Sequence, residues 1–159
     1  MKKKLGLLAL GAVVVAWAVI FMWPLSFSAV FDDMPDGAVI RVAINDTGIE
    51  WVDGTMVPHS ELTTHAIAYG SETFGQLQQI LGRYSRRRTR RTFFSDASMM
   101  GNEAGFWLTI DAFSGDDRRV ITTGGTREII VNGRVYRVGY WRNRANLQMM
   151  NEIRNLLEG

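Results

Sequence analysis

The feature that most constrains this chain is an uncharged, apolar run near its amino end. Lysines occupy positions 2–4, residues 5–31 carry no formal charge, and residues 5–23 are almost all apolar. A run of this length is typical of a helix that crosses a bilayer, and basic residues before it favour a cytoplasmic amino terminus. The sequence therefore predicts a single-pass transmembrane helix in the cell membrane with an extracytoplasmic carboxyl-terminal domain.

A cleaved secretory signal is the alternative for this run. A signal core spans roughly 7–15 residues, whereas this one is longer and contains Trp17, Phe21 and Trp23. Ser26 and Ser28 nevertheless have the small side chains that a cleavage site needs. Retention as a signal-anchor is favoured, and secretion after cleavage stays open. The predicted division is an anchor at 1–31, a tether at 32–37 and an extracytoplasmic domain at 38–159.

Charge and cysteine content limit the classes of function. The chain has a net charge of +2 and a pI of about 9.2. Three of its 18 basic residues are the first lysines, so 15 arginines and 16 acidic residues leave the remainder at −1. Nucleic acid is therefore disfavoured as a partner. No cysteine is present, which excludes disulfides, thiolate metal sites and a lipidated cysteine.

Hydrophobic periodicity predicts the elements of the domain. Apolar residues recur at helical spacing in two segments and alternate in several others, and Asn132-Gly133 is typical of a type I′ hairpin turn. These patterns predict an α+β fold, with a small antiparallel sheet and one or two helices packed on one face. The predicted elements are strands at 38–44, 49–52, 84–94, 106–113, 118–123, 128–131 and 134–138, an irregular segment at 56–70, and helices at 71–82 and 144–158.

The order of these elements resembles a known group of domains. The features that carry the resemblance are the hairpin at 129–136 and the spacing of Arg87, Thr89, Arg91, Thr92, Ser95 and Asp96. Together they resemble small extracytoplasmic domains of unassigned function in Gram-positive envelope proteins and lipoproteins. The resemblance covers about half the chain and implies fold and location, without a catalytic residue.

An arginine cluster is the sharpest local feature. It contains the candidate binding residues Arg86, Arg87, Arg88, Arg90 and Arg91. On an extended strand, side chains two residues apart share a face at about 7 Å spacing, and guanidinium groups bind phosphate or carboxylate oxygens in pairs. The cluster predicts binding of an anionic envelope polymer or lipid. The alternative is a solvated edge strand whose charges prevent aggregation and pair with nearby carboxylates.

Catalytic signals are weak. His59 and His65 are too far apart on a strand, about 20 Å, to form a local metal pair, and His59-Ser60-Glu61 cannot form a triad through sequence adjacency. We identify no catalytic residue, no metal ligand set and no cofactor motif. The favoured function is a non-enzymatic, membrane-anchored domain that binds a protein, a peptide or an anionic component of the envelope. The alternative is a small envelope hydrolase or metal-dependent enzyme assembled from residues distant in sequence.

Overall fold

The structure is a computed structural model that describes residues 2–94, 101–139 and 144–159, with side chains described from Ala9 onward. Within these residues the chain forms eight strands and four α-helices. A short 3-10 turn at Ser28–Val30 follows the first strand. In chain order the elements are α1 (Lys2–Met22), β1 (Leu25–Ser26), β2 (Val39–Val52), β3 (Thr55–Ala68), α2 (Glu72–Gly82), β4 (Ser85–Arg88), α3 (Arg90–Phe94), β5 (Phe106–Ser114), β6 (Asp117–Thr123), β7 (Glu128–Val131), β8 (Arg134–Val138) and α4 (Ala145–Glu158).

All eight strands belong to one antiparallel sheet in the order β1-β4-β8-β7-β6-β5-β2-β3. The predicted fold class is therefore wrong: the sheet is large, and a transmembrane helix is not part of the described architecture. The main reason is the segment 56–70, predicted to be irregular: its residues up to Ala68 belong to β3, which pairs with β2 along its whole length. Their side chains are mostly exposed on both faces, so the alternation that marks a half-buried strand is absent.

The predicted membrane anchor is also corrected. Among the residues that the structure describes, no helix combines the length and the apolarity that crossing a membrane requires. The predictions of a transmembrane helix, a signal-anchor and a single-pass location in the cell membrane are wrong on this finding. Secretion after cleavage stays a prediction.

The core lies on one face of the sheet. Ile40, Val42 and Ile44 alternate along β2 with exposed or half-buried neighbours, and they pair with Ala112, Ile110 and Leu108 of β5. Helices α2 and α4 cover this face with their own buried side chains. Complete burial of each large aliphatic side chain contributes about 1.5–3 kcal/mol relative to exposure. This face therefore provides most of the hydrophobic stabilisation.

Both core helices confirm the periodicity prediction. The Ser71 side chain accepts a hydrogen bond from the Phe74 amide at 3.2 Å, which satisfies one of the unpaired donors at the start of α2. The buried residues of α2 are Phe74, Leu77, Ile80 and Leu81. Those of α4 are Ala145, Asn146, Met149, Met150 and Ile153.

The chain between α1 and β2 also contributes to the core. Phe27 and Phe31 are fully buried, and Met34 is nearly so. They join the same cluster as the sheet and helix residues. The division of the chain at residues 31 and 37 stays a prediction, but the predicted tether therefore includes a core residue.

Candidate functional site

The predicted arginine strand is interrupted at Thr89. β4 ends at Arg88, and α3 begins at Arg90. The Thr89 amide donates to Thr92 Oγ1 at 2.8 Å, and the buried Thr92 hydroxyl donates in turn to the Val135 carbonyl of β8. These bonds begin the helix and fix it against β8. The extended geometry predicted for residues 84–94 is therefore wrong beyond Arg88, and Arg90 does not continue a row of arginines.

Within β4 the arginines face in different directions. The Arg86 guanidinium lies over the rings of Phe27 and Tyr136, with its central carbon 5.5 and 5.0 Å from their centroids. Burial lowers the pKa of Arg86 from its ordinary value, because the charged form is less well solvated there. Arg87 pairs with Arg137 and points to the opposite face from Arg86. Arg88 shares the Arg86 face, where it pairs with Tyr136.

Arg90 and Arg91 instead border an open groove of about 770 Å³ on the face opposite α2 and α4. Counted over the described residues, its lining contains five arginines and two glutamates, so three positive charges are in excess. Threonine and glycine complete the surface. The lining residues are Thr89, Arg90, Arg91, Gly101, Glu103, Thr126, Arg127, Glu128, Arg137 and Arg144. We call this site the arginine groove.

One ion pair crosses the arginine groove. Arg91 Nη1 donates to Glu128 Oε2, and Glu128 lies directly opposite Arg137 in the β7–β8 ladder. Within the described ranges, no carboxylate lies at ion-pair distance from Arg127, Arg137 or Arg144. Guanidinium groups gathered without equal negative charge raise the local positive potential. The groove is thus suited to bind anionic groups.

Two buried glycines adjoin the part of the groove wall that Gly101, Glu103 and Thr126 form. A Cβ on Gly124 would lie 2.7 Å from the Gly101 carbonyl oxygen, and one on Gly125 would lie 2.8 Å from the Ala104 Cβ. The amides of Glu103 and Ala104 donate to the Gly124 carbonyl at 2.8 and 3.1 Å. Only glycine allows the two loops to approach this closely.

The buried side-chain amide of Asn146 contacts the same wall of the groove from the interior of the protein. Asn146 Nδ2 lies 2.6 Å from Thr123 Oγ1, and it also contacts the carbonyl oxygens of Thr126 and Glu128. Asn146 is almost completely buried in the first turn of α4. Because Thr126 and Glu128 line the groove, α4 fixes the position of that wall.

The histidines lie far from the arginine groove on β3. His59 Nε2 is 3.8 Å from Glu61 Oε2 on an exposed part of the strand. The Ser60 hydroxyl points to the other face and donates to Asn45 Oδ1 at 2.7 Å. His59, Ser60 and Glu61 are therefore not arranged as a triad. No group of three or more His, Cys, Asp or Glu side chains suited to a metal occurs in the part of the chain that the structure describes.

Sequence reasoning found two of the five arginines in the groove. It missed Arg127, Arg137 and Arg144, which come from separate elements. Part of this could have been derived: the turn at 132–133, with φ of 49° and 75°, confirms the predicted type I′ hairpin. A two-residue turn fixes the register, which places Glu128 opposite Arg137. The binding role predicted for Arg86, Arg87, Arg88, Arg90 and Arg91 stays a prediction.

Comparison of the chain with protein-family models, with curated proteins and with solved structures gives no match. The resemblance to Gram-positive envelope domains therefore gains no support from these comparisons.

Proposed function

We propose that this protein is a non-enzymatic binding protein whose arginine groove binds an anionic polymer with repeated phosphate groups. The observation that carries the proposal is the excess of three positive charges around one open groove. Guanidinium forks match pairs of phosphate oxygens and form charge-assisted hydrogen bonds with them.

The shape of the site favours a polymer over a small anion. The arginines come from α3, the loop before β7, strand β8 and the residue before α4, and the groove that they border, at about 770 Å³, is much larger than a single phosphate group. A chain of phosphates could contact several of them in succession. Among the residues that the structure describes, none that lines the groove is aromatic. Single-stranded nucleic acids are bound largely by base stacking on such side chains, so a ligand without bases fits better.

Replacement of three groove arginines tests this function. The full-length triple variant Arg127→Gln, Arg137→Gln, Arg144→Gln is expected to bind inorganic polyphosphate about a hundredfold more weakly at low salt. Each lost contact contributes on the order of 1 kcal/mol at an exposed site. Isothermal titration calorimetry measures the affinity. Raising the salt concentration is expected to weaken wild-type binding because counter-ions screen exposed charges.

A control variant separates the groove from overall charge. Arg41→Gln, Arg83→Gln, Arg134→Gln removes the same charge from exposed arginines that do not line the groove. This variant is expected to lose less than about threefold in affinity. Equal losses in the two variants, or no binding by the wild-type protein, would show that the groove is not the binding site.

A further inference from the structure

Strand β3 leaves one edge of the sheet open. It runs for 14 residues, and among the described residues no strand lies on its outer side. The opposite edge of the sheet is β1, which is only two residues long. Natural sheets protect their edges with short strands, lysines, prolines or bulges. β3 contains no lysine or arginine, its register with β2 is unbroken, and its one proline is Pro58. The edge after Pro58 therefore has none of these devices.

The register shows which backbone groups of β3 face outward. Val52 and Thr55 flank the two-residue turn between β2 and β3 and therefore form a hydrogen-bonded pair. Alternation along the ladder then directs the odd-numbered residues of β3 toward β2 and the even-numbered ones outward. The Thr47 amide agrees with this alternation, because it donates away from β3 to the Gly105 carbonyl at 2.9 Å. The residues after Pro58 whose amides and carbonyls face outward are Ser60, Leu62, Thr64, Ala66 and Ala68.

This open edge has a defined length. Proline has no amide hydrogen, so Pro58 cannot donate to a strand outside the sheet. At the other end, the Ala68 carbonyl already accepts a hydrogen bond from the Ser71 amide at 3.1 Å, and β3 ends there. The open edge therefore covers residues 60–68, and Thr64 is its centre.

The side chains beside the open edge are complementary to a second copy of the same edge. Leu62 and Ala66 lie on the face of the sheet opposite α2 and α4, and Leu62 is 66% exposed. Antiparallel pairing of two copies about Thr64 places Leu62 of each copy opposite Ala66 of the other, since both lie two residues from the centre. An apolar cavity of about 410 Å³ adjoins Ala66, and Val39 and Ala68 also line it. Leu62 of one copy would therefore cover this cavity on the other.

Charge does not oppose this pairing. Apart from His65, Glu61 is the only ionisable residue of the open edge. Like charges that lie directly opposite each other destabilise a strand pair. Pairing about Thr64 places Glu61 opposite Ile67 of the other copy, and the two glutamates are then about 20 Å apart along the strands.

We propose that two copies of this chain pair along the open edge of β3 and form a dimer with one continuous antiparallel sheet. A two-fold axis normal to the sheet at Thr64 relates the copies, so each face of one sheet continues into the same face of the other. The contact is reciprocal, because the Leu62–Ala66 and Ser60–Ala68 pairs each occur twice. Pairing uses both open edges and leaves only the two short β1 edges, so assembly stops at the dimer.

The dimer is independent of the proposed function. The strands that contribute to the arginine groove, β7 and β8, are the fourth and fifth strands from β3 in the sheet order. Pairing along β3 therefore leaves the groove open to its ligand.

Disulfide cross-linking tests the dimer and its register. The chain has no cysteine, so one introduced thiol reports on one position. Full-length Thr64→Cys is expected to form a covalent dimer on mild oxidation with copper phenanthroline, because the paired Cα atoms at the axis are about 5.5 Å apart, within disulfide range. Ser60→Cys is the control, since it is equally placed on the exposed edge but its two thiols would lie about 27 Å apart. Non-reducing electrophoresis measures the product. Equal cross-linking of both variants, or none of Thr64→Cys, would overturn the inference.

A charge substitution tests the dimer without cross-linking. Thr64→Lys places two ammonium groups opposite each other at the axis, and sedimentation equilibrium of full-length protein is expected to show a dissociation constant about tenfold above that of the wild-type dimer. Thr55→Lys adds the same charge at an exposed residue of β3 outside the open edge and is expected to change the constant less than about threefold. A monomeric wild type, or a dimer that Thr64→Lys leaves unchanged, would contradict the inference.

The two proposals fail separately. Thr64→Lys keeps every groove arginine, so this variant is expected to bind polyphosphate with wild-type affinity. Polyphosphate binding without a dimer would contradict only the dimer, whereas a dimer without polyphosphate binding would contradict only the proposed function.

Discussion

Replacement of Gly125 with alanine is expected to lower the free energy of unfolding by about 3 kcal/mol. Two destabilising effects, one of backbone conformation and one of packing, add at this residue. Its φ of +86° is unfavourable for a residue with a Cβ, by roughly 1–2 kcal/mol. The new methyl group would also lie 2.8 Å from the Ala104 Cβ and 3.1 Å from the Ala104 nitrogen, and overpacking of this kind costs typically 1–3 kcal/mol. Chemical denaturation followed by circular dichroism measures the change.

Gly133→Ala is the matched control for this prediction. Gly133 has a similar φ of +75°, but nothing lies within 4 Å of a Cβ at that position. Only the conformational cost applies, so the expected loss is about 1 kcal/mol. The difference between the variants isolates the close approach of the two loops. Equal losses would show that the loop containing Ala104 moves aside without cost.

The Gly125→Ala variant is also expected to weaken polyphosphate binding. Ala104 follows Glu103 directly, and Glu103 lies in the groove wall with Gly101. Displacement of this loop changes the width of the groove. Gly133 lies at the tip of the β7–β8 hairpin and is not a lining residue, so its variant is expected to retain wild-type affinity. Titration of both variants with polyphosphate, under conditions where each is folded, tests this expectation.

Replacement of Asn146 with alanine is expected to lower the free energy of unfolding by about 2–3 kcal/mol. The side-chain amide contacts the carbonyl oxygens of Thr126 and Glu128 and the hydroxyl of Thr123. Alanine would leave buried acceptors without their donor, and each such group costs about 1–3 kcal/mol. Thermal denaturation monitored by circular dichroism gives the change in stability.

Asn151→Ala provides the control in the same helix. Asn151 is exposed, and alanine has the higher helix propensity. This variant is expected to remain within about 0.5 kcal/mol of the wild type. A similar loss in both variants would mean that the effect comes from the helix and not from the buried amide. Retention of full stability by Asn146→Ala would show that the contacts of the amide are replaced easily.

The amount that could be predicted differs between elements for physical reasons. α2 and α4 were predicted because each buries a single stripe of apolar residues, and that stripe recurs at the helical period. The β7–β8 hairpin was predicted because Asn132-Gly133 can adopt positive φ at both positions. β3 was missed because most of it is exposed on both faces, and its strand conformation depends on pairing with β2. The assignment of the apolar amino-terminal run to a membrane rested on length and composition alone, and it was wrong.

The arginine groove could not be predicted from the sequence, because its residues come from distant parts of the chain. Arg90 and Arg91 belong to the predicted cluster, yet Thr89 and Thr92 direct them into a helix and not along a strand. Arg127, Arg137 and Arg144 belong to separate parts of the chain and gather only when β7, β8 and α4 pack together. The direction of Arg86 into the aromatic rings of Phe27 and Tyr136 likewise depends on contacts between distant residues.

The sequence by itself determined the local elements whose signals lie within a few residues: two amphipathic helices and a type I′ turn. The tertiary structure alone decided the size of the sheet, the length of the β2–β3 ladder and the gathering of five arginines in one groove. The physical reason is the range of the interactions. Periodicity and turn preferences act between near neighbours, whereas strand pairing and the convergence of charges depend on residues brought together from across the chain.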